Sequence, residues 1–387
     1  MRLHLILPGV DPGHTPRPTC CPHCGGKYFR LHQKEVVKPL RDTRHEQVTV
    51  QRYRCMGCQR TWRAYPRGVT REQVSQRVKG LAVMLYLLGL SYGAVALVLE
   101  ALGVYMCKSR VYDAVQAAAR RVPGMQKSTL LEGVQTPAVG GDLTSVRCNG
   151  RWLTLGLSVD DLTGLVLTVD ELSAEDSKTL QEWLAPIAEV VGAQLLVSDD
   201  ADAFKHVADE LGLAHQLCKS HVRRSTEAQV EQVAPLAVQD ADGSLTGIGV
   251  TPEQAVADLQ RLNELVRTRQ PEAVAELEMM HQRYAQAAAP RVGQKATLAY
   301  RLRLLFLDRW NLWPRLTCYR DWEGPHGERV DGTNNACERA IGWWIKERYR
   351  TMRGYKREDN AVAVSRLLAW CGNHLNCGGA DLSPLVA

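Results

Sequence analysis

Three acidic residues, far apart in the chain, stand where chemistry could be built. Asp142 falls inside the strand-like run "PAVGGDLTSVRC". Asp199 closes the short apolar run "AQLLVSD". Glu338 heads "ERAIGWWIKERYRTMRGYK", a helical stretch with two Trp and then Arg and Lys relieved only by Glu347. Carboxylates are hard oxygen ligands suited to Mg²⁺ or Mn²⁺. Two such ions about 3.5–4 Å apart clamp the attacking and leaving oxygens of an in-line displacement at phosphorus. An acid at the top of a basic helix fits that chemistry. Glu338 would hold metal, while Arg339, Lys346, Arg350, Arg353 and Lys356 would hold the phosphate backbone leading to it.

A second set of ligands is made of sulfur. "CPHC" and "CMGC" place Cys21, Cys24, Cys55 and Cys58 in two C-x-x-C pairs about thirty residues apart. That spacing predicts a zinc ribbon, with four thiolates closing a tetrahedral structural site on two tight knuckles. Cys20 adjoins Cys21 and is the alternative ligand. The remaining cysteines are scattered, which fits a reduced cytosol with a metal site and not a disulfide framework. Cys218 and His221, in "QLCKSHVRR", could also bind metal, but two ligands do not make a site. They read equally as a buried thiol and a polar ring at a strand end, or as supports of the acidic site or contacts to DNA.

The elements that must position these groups follow from pattern. The residues between the cysteine pairs alternate like a hairpin. "SYGAVALVLEALGVYMCKSRVYDAVQAAAR" predicts a helix from Ser91, a turn at Gly103 and a second helix, the helix-turn-helix pattern. Lys108, Ser109, Arg110 and Tyr112 would head its recognition helix. Residues 80–99 carry no charge and are long enough to span a bilayer. "GLSYG" breaks that run, with Ser91 as N-cap, so no membrane partner is expected. From residue 136 the order reads β-β-β-α-β-α-β, with "NG" and "LTG" turns. Residues 226–330 read as mostly helical, and the final helix carries Glu338. The net charge of +6 is uneven: +13 over residues 1–135, −11 over 136–338 and +4 over 339–387. Basic flanks around an acidic middle suggest a polyanion partner, most simply nucleic acid. They do not suit a protein that coats nucleic acid evenly.

These blocks resemble the DDE transposases of bacterial insertion sequences, over essentially the whole chain. "GGDLTSVRCNGRWLTLGLSVDDLTG" is similar to the first-Asp block, "LLVSDDADAF" to the second, and "TNNACERAIGWWIKERYRTMRGYK" to the Glu block. "QLCKSHVRR" resembles the C-x-x-H signature of the Mutator-like branch. The resemblance implies an α/β RNase H-like domain interrupted by a mostly helical insertion, behind a zinc ribbon and helix-turn-helix that bind the element's ends. The implied boundaries are 1–70 for the ribbon, 71–125 for the helix-turn-helix and 136–225 for the first part of the catalytic core. The insertion follows at 226–330 and the final part of the core at 331–387. It also implies Asp142, Asp199 and Glu338 as ligands of two Mg²⁺ or Mn²⁺ ions, with Asp199 preferred to Asp200 because the family's acid directly follows the strand. The implied partners are terminal inverted repeats and target DNA, and the assembly a homodimer or larger in the bacterial cytoplasm, with the nucleoid. A non-catalytic DNA-binding protein derived from such an enzyme, and an RNase H-like nuclease that cuts without joining, are the alternatives.

Several residues carry plainer expectations. Asp160 and Asp161 read as turn residues. One of Asn334 and Asn335 reads as a helix N-cap. Of Trp343 and Trp344 one is expected to pack in the core. Trp310, Trp313 and Trp322 could stack on an opened DNA end, but more simply form the core of a helical domain.

Overall fold

The computed structural model describes residues 5–122, 133–351, 354–374 and 380–386. Residues 123–132, which fall across the expected end of the helix-turn-helix at 125, lie outside them. The chain divides into two compact units. One comprises residues 1–126, 145–153 and 340–387; the other comprises 127–144 and 154–339.

The first unit begins with β1 (Leu5–Ile6) and a three-stranded antiparallel sheet of β2 (Phe29–Pro39), β3 (Gln47–Cys55) and β4 (Thr61–Ala64). In β3 alternate residues turn inward, so Val48 and Val50 pack with Leu40 and Val69 while their neighbours face water. Three helices follow. α1 (Gln76–Leu87) is capped by Ser75, whose Oγ accepts from Val78 N at 3.1 Å. α2 (Tyr92–Ala101) is capped by Ser91, which accepts from Ala94 N at 3.2 Å, so the uncharged run does break at "GLSYG". Among the described residues no helix is long and apolar enough to cross a membrane. Gly103, at φ +78°, makes the turn before α3 (Lys108–Arg120). α3 buries Val111, Ala114, Val115, Ala118 and Ala119, leaving a narrow exposed stripe.

The second unit is built on a five-stranded sheet. β5 (Ala138–Cys148), β6 (Arg151–Asp160) and β7 (Val166–Leu172) run as a meander, and β8 (Leu195–Ser198) and β9 (Ala214–Leu217) add to the other edge of β5. The order is β7-β6-β5-β8-β9, with β5, β8 and β9 parallel. Parallel neighbours need helical crossovers, and α4 (Ser177–Val191) and α5 (Asp202–Glu210) supply them. α4 is capped by Asp176 and ended by Gly192 in the left-handed conformation. Its Leu180, Trp183, Leu184, Ile187 and Val191 recur at helical spacing and pack with Phe204 and Val207 of α5 over one sheet face. Burying each such side chain contributes about 1.5–3 kcal/mol.

The helical stretch expected from 226 starts earlier, at α6 (Lys219–Gln239). It continues through α7 (Ser244–Gly247), α8 (Pro252–Thr268), α9 (Val274–Arg283) and α10 (Leu298–Asp321). Leu259, Leu262, Leu277, Tyr284, Leu302, Phe306 and Trp313 share its core, with Trp310 packed against it. Trp313 also donates to the Gln270 carbonyl at 2.9 Å. Trp322 packs on the sheet residues Ala138, Leu195 and Val197. All three Trp are therefore packing residues. α11 (Asn335–Ala340) then brings Glu338.

Two adjacent glycines let helices approach β5 from both faces. A Cβ on Gly140 would lie 2.9 Å from Cys337 Sγ of α11, closer than carbon and sulfur can sit; one on Gly141 would meet Phe204 of α5 at 3.2 Å. Gly140 shares its face with Asp142, two residues on.

The chain then returns to the first unit. A π-helical segment, Ile341–Lys346, interrupts the 3.6-residue repeat between Arg339 and Arg350. α12 (Glu347–Thr351) ends it, and α13 (Glu358–His374) follows, so the helix bearing Glu338 is not the last. Trp344 lies directly against Gly372 of α13, while Trp343 is exposed. Arg348, one of the apparently solvated cations, is buried. It sits 4.0 Å over the Tyr86 ring and donates to the carbonyls of Gly89 and Leu90. β10 (Ala380–Asp381) pairs with β1, and α14 (Ser383–Val386) closes the unit.

Gly140→Ala is expected to cost about 1–3 kcal/mol, the range for overpacking a tight contact. Urea unfolding would measure it, and an unchanged midpoint would mean that α11 does not need the close approach.

Candidate active site

Register sets two of the acids on one face, although among the described residues the oxygens of Asp142, Asp199 and Glu338 do not gather within 4.8 Å of one another. In the parallel pairing of β5 and β8, Gly140 lies opposite Val197. Asp142 and Asp199 are each two residues further on, so both project from the same sheet face on neighbouring strands. Asp142 Oδ1 accepts from Leu143 N at 2.8 Å, and Asp199 Oδ1 from Ala201 N at 3.1 Å. Glu338 arrives on that face with α11. Burial pushes the Asp142 carboxyl up from 3.8 to about 6, and the charges of Asp199 and Glu338 push the same way. The hydrogen bond from Leu143 and the nearby His221 oppose the rise. Asp200, the rival to Asp199, is instead neutralised by Lys205 Nζ at 2.8 Å.

The supports of this cluster are polar and specific. Asn334 occupies the N-cap position, since its carbonyl accepts from Glu338 N at 3.0 Å. Its side chain does not cap the helix: Nδ2 donates to the Gly141 carbonyl at 3.2 Å and ties α11 to β5. Behind Asp199, Arg315 of α10 donates to His215 Nδ1 at 2.9 Å. That leaves Nε2 to donate to Ser198 Oγ at 2.9 Å, and Ser198 Oγ to donate to the Asp199 carbonyl at 2.9 Å. Burial, with the Arg315 charge, lowers His215 to about 3, so the ring stays neutral in this chain of bonds.

Cys218 and His221 belong to the same neighbourhood. Cys218 is fully buried at the start of α6, and His221 lies one turn on. His221 Nε2 is 3.3 Å from Glu338 Oε1. The hydrogen bond with Cys218 raises the His221 pKa against its burial, and the Glu338 charge adds to the rise. Sequence spacing could find the pair but not its third member, which lies more than a hundred residues on. Asp160 is the last residue of β6 and not a turn residue, although its carboxylate braces the turn that Asp161 begins, accepting from Thr136, Leu162 and Thr163. Asp161 is more than a turn residue. Burial and the charges of Asp331 and Asp160 raise it to about 7, with Arg339 opposing.

In the first unit Cys21, Cys24, Cys55 and Cys58 converge, and Cys20 is exposed and takes no part. The Cys21–Cys58 and Cys24–Cys55 sulfurs are 3.7 and 3.6 Å apart. A tetrahedron with metal–sulfur bonds of about 2.3 Å has edges of roughly 3.8 Å, so the four sulfurs fit one ion. The N–H groups of Cys58 and Gly57 draw the Cys55 thiol down, while its partner Cys24, whose sulfur shares the hydrogen bond with Cys55, is pushed up.

The residues expected to touch nucleic acid are distributed as follows. Lys108, Ser109 and Arg110 are exposed on the first turn of α3. Tyr112 is half-buried, edge-on to Tyr92, and its hydroxyl accepts from Asn360 Nδ2 at 2.7 Å, so it packs within the unit. Arg339, Lys346, Arg350 and Lys356 are exposed, with Arg350 3.3 Å from Glu347. Arg353 lies outside the described residues.

The family model described as "Transposase IS66 family" matches residues 175–359, just under half of the chain. The match spans Asp199, Cys218, His221 and Glu338 and leaves out Asp142. The likeness to transposases of the DDE type drawn from short motifs therefore extends over a continuous stretch. No curated protein matches the sequence. Among solved structures, the "Drosophila P element transposase strand transfer complex" is similar at 10% identity and a TM-score of 0.27, covering 80% of this chain and 83% of that one. At that score the likeness bears on neither fold nor function.

Two outcomes are expected. A carboxyl whose pKa rises on folding opposes folding once it ionises, above about pH 6, and does not below the unfolded value near 3.8. Asp142→Asn should therefore stabilise the metal-free protein at pH 7.5, by up to about 3 kcal/mol for two pKa units. The gain should fade toward pH 4, and melting curves in chelator at both pH values would measure it. Cys55→Ser should lose the metal of the four-cysteine cluster, read as ions per chain, and the order of β2–β4 with it.

Proposed function

We propose that the chain is an insertion-sequence transposase that cuts the 3′ ends of its element and joins them to target DNA. One observation carries the reading. Half-buried Asp142 shares its sheet face with Asp199, and α11, docked on the same strand at Gly140, carries Glu338; the charges of both acids add to the rise that burial gives the Asp142 carboxyl. Three carboxylates held in mutual repulsion are poised for divalent cations. The second unit is read as an RNase H-like domain whose insertion spans residues 226–330.

In this reading Asp142, Asp199 and Glu338 hold two Mg²⁺ or Mn²⁺ ions. Such ions activate water and stabilise the charge that develops at phosphorus. The carboxylates fix the geometry of attack, first by water and then by the freed 3′-OH of the element. The Arg315–His215–Ser198 chain holds the backbone of Asp199, and Asn334 holds α11, so the three acids keep their spacing while DNA enters. Arg339, Lys346, Arg350 and Lys356 contact the backbone of the DNA, and Arg353 is assigned with them. The four cysteines hold structural Zn²⁺. The ribbon, with α2 and α3 as a helix-turn-helix, recognises terminal inverted repeats through Lys108, Ser109 and Arg110. Joining two ends requires two active sites, so the working form is a dimer or larger.

The test is strand transfer with DNA carrying the element's terminal repeat, a plasmid target and Mg²⁺ or Mn²⁺. Wild type should give joined product. Asp142→Ala, Asp199→Ala and Glu338→Ala should each lower it about 10³-fold or more, as loss of a metal ligand does at a transition state. End binding should survive in all three. Equal cutting and joining by wild type and all three variants would remove these acids from catalysis.

A further inference from the structure

We propose that Cys218, His221 and Glu338 form a Zn²⁺-class site of their own. It shares Glu338 with the carboxylate site, and filling it switches that site off. The inhibitory half rests on the reading of Asp142, Asp199 and Glu338 as catalytic ligands; the binding half does not.

The three donor atoms lie within 4.8 Å of one another. Tetrahedral Zn²⁺ with bonds of about 2.0–2.3 Å holds its donors roughly 3.3–3.8 Å apart, so the set needs to contract by about an ångström. His221 Nε2 and Glu338 Oε1 are already at 3.3 Å. Two ligands come from a single turn: Cys218 at the N-terminal boundary of α6 and His221 three residues later, on the same face. The third crosses from α11, an element braced by the Asn334 bond to β5. Glu338 Oε1 is buried and, apart from the approach of His221, has no hydrogen-bond partner among the described residues. A buried carboxylate oxygen without such a partner is costly, and a cation would satisfy it. Arg224 lies 3.9 Å from the same oxygen but is well exposed and free to turn to solvent.

The donor types decide which ion fits. Sulfur and imidazole select Zn²⁺ and its relatives, while Mg²⁺ takes oxygen. The two sites therefore draw on different ions and meet only at Glu338. Zn²⁺ bound to Cys218 and His221 would hold Oε1 toward α6 and leave Asp142 and Asp199 without their third partner. Three protein ligands leave one position for water, so the site can load and unload.

The test uses the full chain with its four-cysteine cluster loaded. Titration with Zn²⁺, or with Co²⁺ read by its thiolate charge-transfer absorption, should add one ion per chain beyond that cluster. Cys218→Ser and His221→Ala should each abolish the added ion and keep the first, whose retention reports that the variant has folded. Asp142→Asn should keep both. In Mg²⁺-dependent cleavage by wild type, Zn²⁺ at about ten times its dissociation constant should lower the rate about tenfold, as simple competition requires. Cys218→Ser should blunt that loss. No added ion in wild type, or an added ion that survives both ligand changes, would overturn the site. Loss of the added ion in Asp142→Asn would put it among the carboxylates instead. Binding without inhibition would overturn the switch. If no cleavage is seen with any metal, the catalytic reading falls while the ion count still decides the site.

Discussion

The close approach of α11 to β5 at Gly140 is the contact on which the acidic cluster depends. The strand carries Asp142, and the helix carries Glu338. Only a residue without a Cβ lets Cys337 sit directly on the strand, and the Asn334 bond to the next carbonyl keeps the helix from sliding. The neighbouring Gly141 does the same for α5 on the opposite face. "VGGD" is thus a packing device with a carboxylate at its end. Its cost in backbone freedom, about 0.5–1 kcal/mol for each glycine, is small beside what the layered packing contributes.

Electrostatics then give the arrangement its character. Natural cores avoid unpaired like charges, and the bundle of α6–α10 follows that rule. There buried Asp258 is met by Tyr284 and Arg283, and buried Arg309 by Thr226 and Gln229. Half-buried Asp142 instead faces the charges of Asp199 and Glu338, with His221 as the counter-charge. Lys205 is held by Asp200 and Asp202. Arg315 is bidentate to Asp209 while it braces His215. Strain of this kind is kept where function needs it.

The cysteine pairs, the β-β-β-α-β-α-β order and the caps at Ser75, Ser91 and Asp176 could be read locally, because each depends on residues within one turn or one hairpin. So could the positions of Asp142 and Asp199 at strand level. What the sequence hid was fixed by distant partners. Arg348 looks like any exposed cation until Tyr86 and two free carbonyls are set beside it. The bond from Asn360 to the Tyr112 hydroxyl joins residues nearly 250 apart, which no local pattern announces. Asp161 looks like a plain turn residue until its burial and the charge of Asp331, brought from far along the chain, are set beside it. The π-helical segment after Glu338 has no composition signal, and it shifts the register of the cations that follow.

The shared rung of β5 and β8 sets a rule for change. Loops, crossover helices and the whole α6–α10 bundle can lengthen or shorten without disturbing it. One residue gained or lost between Leu195 and Asp199 cannot be absorbed that way, because a strand that slips by one turns every side chain to the opposite face. Asp199 would then point into the apolar layer under α4 and α5. Drift in this lineage is therefore expected to spare the count of residues from strand to acid while the surrounding lengths vary, and a transplanted sheet would have to carry that count with it.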